Sequence, residues 1–128
     1  MRTIILLFAM ASLITLSSLS FAQNNSSFDD CIDKANGVTD KMLACIKVEY
    51  AKWNKILNAN YKEAYKSLDN DKDRAILKSA QLAWIAWKEK MVSAIILLEG
   101  GGSLARLSAN HFVMEETKRQ AERLRPTE

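Results

Sequence analysis

Ile46, Tyr50, Trp53, Leu57, Tyr61, Ala64 and Leu68 recur at spacings of three and four. That period lays one apolar stripe along a long α-helix, and such a helix must find other helices to cover it. A second run with the same period follows the polar corner "LDNDKD", in which Asp73 stands near the helix start. It carries Leu77, Ala80, Trp84, Trp87, Met91, Ala94 or Ile95, and Leu98, and it is apolar on a second side at Leu82, Ile85, Val92 and Ile96. A helix apolar nearly all round is expected at the centre of a bundle.

Gly100, Gly101 and Gly102 end this run. Ser103 is expected to cap a fourth helix bearing Leu104, Leu107, His111, Met114, Ala121 and Leu124, closed by Pro126. Glu115 with Arg119 and Lys118 with Glu122 stand at i, i+4, the spacing of an exposed face. Upstream, "SSFDDCIDKANG" reads as a short helix with Ser27 as N-cap, Asp29 and Asp30 in the first turn and Gly37 as the stop. Thr39-Asp40 is expected to cap the next. With no convincing strand, the expected fold is all-α: a bundle of three long helices and one short N-terminal helix, joined by antiparallel connections.

The first 22 residues read as a secretory signal: Arg2, then the apolar "IILLFAMASLITLSSL", then small residues at Ser20 and Ala22. Ser12, Thr15, Ser17 and Ser18 break the run that an anchoring span of about 20 apolar residues would need. Cleavage after Ala22 leaves residues 23–128 as one domain, periplasmic or secreted, without a stable membrane anchor. Losing Arg2 takes the formal net charge from +3 to +2. Neither value selects a partner class.

Cys31 and Cys45, both in the exported part, are expected to pair in an oxidising compartment. A metal site needs two further ligands, and the single histidine is far along the chain at 111. Closing a loop of about 15 residues contributes on the order of 3 kcal/mol in the chain-entropy model.

Three of the four glycines stand together in "LEGGGSLARL", residues 98–107. No P-loop spacing and no preceding strand accompanies them, so nucleotide binding is excluded. A corner between antiparallel helices explains them. A plain corner needs one glycine, however, and a segment without side chains lets a partner approach the backbone. Glu99, Gly100, Gly101, Gly102, Ser103 and Arg106 are therefore the candidate partner-binding loop.

Other chemistry is thinner. His111 reads as a partly buried core histidine. A haem held between His111 and Met42, Met91 or Met114 is the cofactor alternative, though methionine in a helical stripe is ordinarily core, and no cofactor or metal is expected. Lys55, Lys62 and Lys66 form a basic stripe interleaved with Glu63, a solvated face with no exposed aromatics to stack nucleic acid. The tryptophans and tyrosines read as core, with Trp87 and Tyr65 at its edge. Glu89, Glu99, Glu115 and Glu116 are each explained by a helix surface or end, and no Ser-His-Asp or Cys-His set exists; no catalytic residue is expected.

The stretches "CIDKANGVTDKMLAC" (31–45), "LNANY" (57–61), "QLAWIAWKE" (81–89), "GGS" (101–103) and "ETKRQAERL" (116–124) together resemble the LprI-type lysozyme inhibitor family. The resemblance implies an exported, helical, cysteine-bearing domain that binds and blocks a lysozyme or another peptidoglycan hydrolase. Members usually carry a second cysteine pair, and here those positions are Val92 and Phe112. Both replacements are apolar, so packing of one on the other is expected in place of the bridge. The family's Tyr-Arg-Asp triplet is Trp87-Lys88-Glu89 here. Animal-type lysozymes are strongly cationic, so a net charge of +2 gives no long-range steering toward them. The alternative is a periplasmic interaction or envelope-stress protein with another protein partner.

Overall fold

A computed structural model describes residues 27–126; the expected signal segment, residues 1–22, lies outside them. The elements are α1 (Ser27–Ala35), α2 (Thr39–Ser67), α3 (Asp71–Leu98) and α4 (Gly102–Arg123). Four helices and no strand make up the described residues, so the fold is an all-α bundle.

Asp29 and Asp30 sit in the first turn of α1 and Lys34 in its last, each complementing the helix dipole. Asn36 and Gly37 then take positive φ values of 48° and 75° and reverse the chain. Cys31 on α1 is bonded to Cys45 on α2, with Cα atoms 5.8 Å apart. The bridge clips the short helix to the base of the long one and fits an oxidising compartment.

Helix starts differ in detail from the expected caps. Val38, not Thr39, precedes α2, and it offers no side-chain cap. Asn70 caps α3, its side-chain oxygen accepting the Asp73 N–H at 2.9 Å. Gly101, not Ser103, precedes α4, and Ser103 lies inside the first turn.

The layering overturns the expectation for α3. Helix α4 is central: it packs along α2 on one side and α3 on the other. The Asn60 side-chain amide donates to the Ala121 carbonyl at 2.7 Å, and Lys118 lies 5.5 Å over the Trp53 ring, so α2 and α4 run parallel. Gln120 donates to Gln81 at 2.9 Å and Phe112 meets Trp87, so α3 runs antiparallel to α4. No residue of α3 is buried.

Small side chains account for this order. Ala105, Ala109, Thr117 and Ala121 are buried at multiples of four residues along α4, a low ridge that lets the α2 backbone come close. Thr117 satisfies its hydroxyl by donating to the Val113 carbonyl at 2.7 Å. Met114 fills the space beside the ridge and is fully buried. Ile46 and Leu57 of α2 close the core from the other side.

Candidate functional site

The end of α3 follows from hydrogen-bond closure. Glu99 donates to the Ile95 carbonyl at 3.0 Å, Gly100 to Leu97 at 3.3 Å and Gly101 to Ile96 at 2.9 Å. The last two are the paired 5→2 and 6→1 bonds that close a helix through a left-handed residue, here Gly100 at φ 73°. Gly101 then adopts φ 76° and ψ −165°, a region open essentially to glycine alone, and Gly102 enters α4 at φ 83°. Three consecutive residues thus need positive φ. The corner requires all three glycines, contrary to the expectation that one suffices. A Cβ at any of them would meet nothing within 4 Å, so backbone conformation is the constraint and not space.

What a corner does not explain is the leucines around it. Leu97 is 80 % exposed, Leu98 83 % and Leu104 67 %. Leu98 and Leu104 were expected on core stripes, but α3 and α4 end at this corner and no further element covers them. The result is a protruding tip: an exposed Glu99, a backbone without side chains, an exposed Ser103 and three apolar groups in water. The signal in sequence was "LLEGGGSL", apolar residues running up to a turn on both sides. Periodicity assigned them inward instead.

Residues 99–103 of the candidate loop therefore stand together, whereas Arg106 belongs elsewhere. It lies one turn along α4 and lines a groove of about 660 Å³ between α2 and α4, with Leu43, Lys47, Tyr50 and Asn110 among its neighbours. Asn110 donates to the Arg106 carbonyl at 2.8 Å.

His111 is exposed, not partly buried, and faces Phe28 of α1 with ring centroids 6.3 Å apart. It lines a groove of about 300 Å³ together with Met42, while Met114 is sealed in the core and Met91 lies on α3. Among the described residues, no three His, Cys, Asp or Glu side chains gather as metal ligands would. Glu116 is buried and ion-paired with Arg119, which also reaches Glu115 at 3.8 Å. The pattern places Glu116 at a helix surface or end, whereas packing against the core buries it, as it does Glu49. Lys55, Lys62 and Lys66 are exposed as expected, but Tyr65 beside them is exposed as well.

In the family triplet, Trp87 packs edge-on against Phe112 with centroids 5.7 Å apart. Val92 lies five residues on, about 140° round the helix from Trp87. The ring of Phe112 thus meets Trp87, and Val92, the other replaced cysteine position, is half-buried on α3. Lys88 is half-buried, with its ammonium 4.3 Å over the Trp84 ring. Burial lowers its pKa below the usual 10.5, and the adjacent Glu89 pulls it part of the way back.

These features define a class: a disulfide-clipped helical domain with exposed leucines around its α3–α4 corner. A family model described as Lysozyme inhibitor LprI matches residues 31–124. The chain belongs to the LprI lysozyme inhibitor family, whose role is binding and not catalysis. Neither a curated protein nor a solved structure matches it.

Proposed function

We propose that the protein is an exported, non-enzymatic inhibitor that binds a lysozyme and blocks its cleft with the α3–α4 tip. The observation that carries this reading is the exposure of Leu97, Leu98 and Leu104 around a backbone stripped of side chains. A substrate cleft accepts a narrow, extended chain, and a glycine tip is narrow enough to follow it. The leucines supply apolar area to bury at the rim. Ser103 and Glu99 supply hydrogen-bonding groups beside the enzyme's catalytic carboxylic acid.

The tip holds one shape before it meets a partner, because the closing hydrogen bonds of α3 and the three positive-φ residues hold it there. A preorganised loop gives up little entropy on binding. With a net charge near +2 after cleavage, attraction to a cationic enzyme is short-range and apolar, so inhibition is expected to vary little with salt.

The test is a turbidity assay of cell-wall lysis with lysozymes of different classes. Wild type is expected to slow lysis by at least one class, and Leu97→Ser with Leu98→Ser to weaken that inhibition about tenfold or more. A wild type inert against every class leaves another protein partner as the better reading. Full inhibition by the double variant moves the contact away from the tip.

A further inference from the structure

Helix α3 carries two seams of heptad spacing side by side. Leu77, Gln81, Trp84, Lys88, Met91 and Ile95 are all half-buried on the side turned to α4. One residue on, and so about 100° round, run Lys78, Leu82, Ile85, Glu89, Val92 and Ile96. Both runs alternate steps of four and three, the spacing by which one helix seats another. The first seam is occupied. The second is open along most of its length: Leu82 is 57 % exposed, Ile85 36 %, Lys78, Glu89 and Ile96 are exposed with them, and Val92 is half-buried.

We infer that the occupant of the open seam is α3 of a second copy of this chain, running antiparallel. The order of chemistry along the seam carries the inference. From Ala75 it reads small apolar, positive, apolar, apolar, negative, apolar, ending at Val92. A two-fold axis between residues 83 and 84 sets Leu82 against the second copy's Ile85, Lys78 against its Glu89 and Ala75 against its Val92. Every position meets its complement, as a self-paired interface demands. Parallel pairing would instead set Lys78 against Lys78 and Glu89 against Glu89.

The neighbourhood of Lys78 strengthens the charge match. Tyr61, Lys62, Tyr65 and Lys66 of α2 and Lys78 of α3 line a groove of about 510 Å³. The second copy's Glu89 arrives at this groove and meets the ammonium groups of Lys78 and Lys62 over a tyrosine floor, with Lys66 beside them paired to Glu63 at 3.2 Å. The most apolar of the long helices, which has no buried residue in one copy, thereby gains its cover. Leu97 and Leu98 lie past the paired segment and on other sides of the helix, so both tips stay free.

Sedimentation equilibrium of the purified protein tests this. Wild type is expected to dimerise in the micromolar range. Lys78→Glu and Glu89→Lys, each reversing two symmetry-related pairs, are expected to raise the dissociation constant about tenfold or more. The double variant K78E/E89K restores the pairs with exchanged signs and is expected to dimerise again. Leu82→Glu, which sets two carboxylates near the axis, is expected to stay monomeric while its helical circular dichroism is unchanged. A wild type monomeric throughout that range overturns the inference, as does a dimer indifferent to either single charge reversal or to Leu82→Glu, or a double variant that stays apart. Because the tip lies outside the seam, monomeric variants are expected to keep whatever inhibition wild type shows.

Discussion

Glu49 accepts the indole N–H of Trp53 at 2.6 Å from one turn earlier on α2, and it is itself buried. Its other donor is Lys52, 3.0 Å from the same oxygen. A carboxylate inside the bundle is tolerated here because two donors reach it. Lys118 of α4 lies 5.5 Å over the same indole, so the set joins the two helices that form the core. Glu49→Ala is expected to cost about 1–3 kcal/mol, since it strands the indole donor. Glu49→Gln keeps an acceptor and is expected to lose less. Urea midpoints measure both, and equal losses would show that the hydrogen bond to Trp53 contributes nothing.

Reduction of the Cys31–Cys45 bridge, or its replacement by two serines, is expected to lower stability by about 3 kcal/mol. For one small domain that is a large share of the whole. Thermal melts with and without reductant give the figure. A midpoint that does not move would mean that α1 docks equally well without its clip.

Lys88 makes a prediction about pH. Burial lowers its folded pKa below the usual 10.5, with Glu89 opposing, so the unfolded chain holds the proton more tightly than the folded one. Stability contributed at this site therefore rises with pH between the lowered value and 10.5. In Lys88→Met the apolar stem over Trp84 remains and the titration is gone. The stability of wild type relative to this variant is expected to increase as the solution is made alkaline through that window. Parallel pH curves for the two proteins would contradict it.

The tip separates shape from contact. Leu97→Ser and Leu98→Ser remove exposed side chains and are expected to change stability by no more than about 0.5 kcal/mol each while weakening inhibition. Gly101→Ala forces a Cβ into left-handed backbone and is expected to cost about 1–2 kcal/mol although nothing lies within 4 Å of it. Urea denaturation beside the lysis assay distinguishes the two. Destabilised leucine variants would mean that these side chains have a folding role.

Phe112→Ala is expected to cost on the order of 3 kcal/mol as an aromatic truncation between α3 and α4. Trp87→Ala, made alone and together with it, tests whether the edge-on contact is the reason. Simple additivity in the double variant would place the effect of Phe112 on other neighbours.

Helix positions were legible in the chain because their causes are local. Apolar residues three and four apart wrote out α2 and α3, acidic first turns and Gly37 bounded α1, and Gly100 stopped α3. The cysteine pair was legible from its number and from the export that the first 22 residues lead one to expect. Of the candidate site, the glycine segment was visible and its purpose was not. Whether a corner needs one glycine or three depends on φ and ψ at each step, and these follow from where α4 must begin relative to α3.

Which helix lies at the centre was decided only by tertiary packing. Apolar content favoured α3, yet α4, the least apolar of the long helices, is the one enclosed on two sides. Burial is a property of pairs of surfaces. Ala105, Ala109, Thr117 and Ala121 form a low ridge that admits the α2 backbone, whereas the larger side chains of α3 hold neighbours further off. Residue by residue, the sequence states how much each side chain avoids water. It takes the assembled helices to state which of them find a surface that fits, and the leucines at the tip and the open seam of α3 are those that do not find one within a single copy.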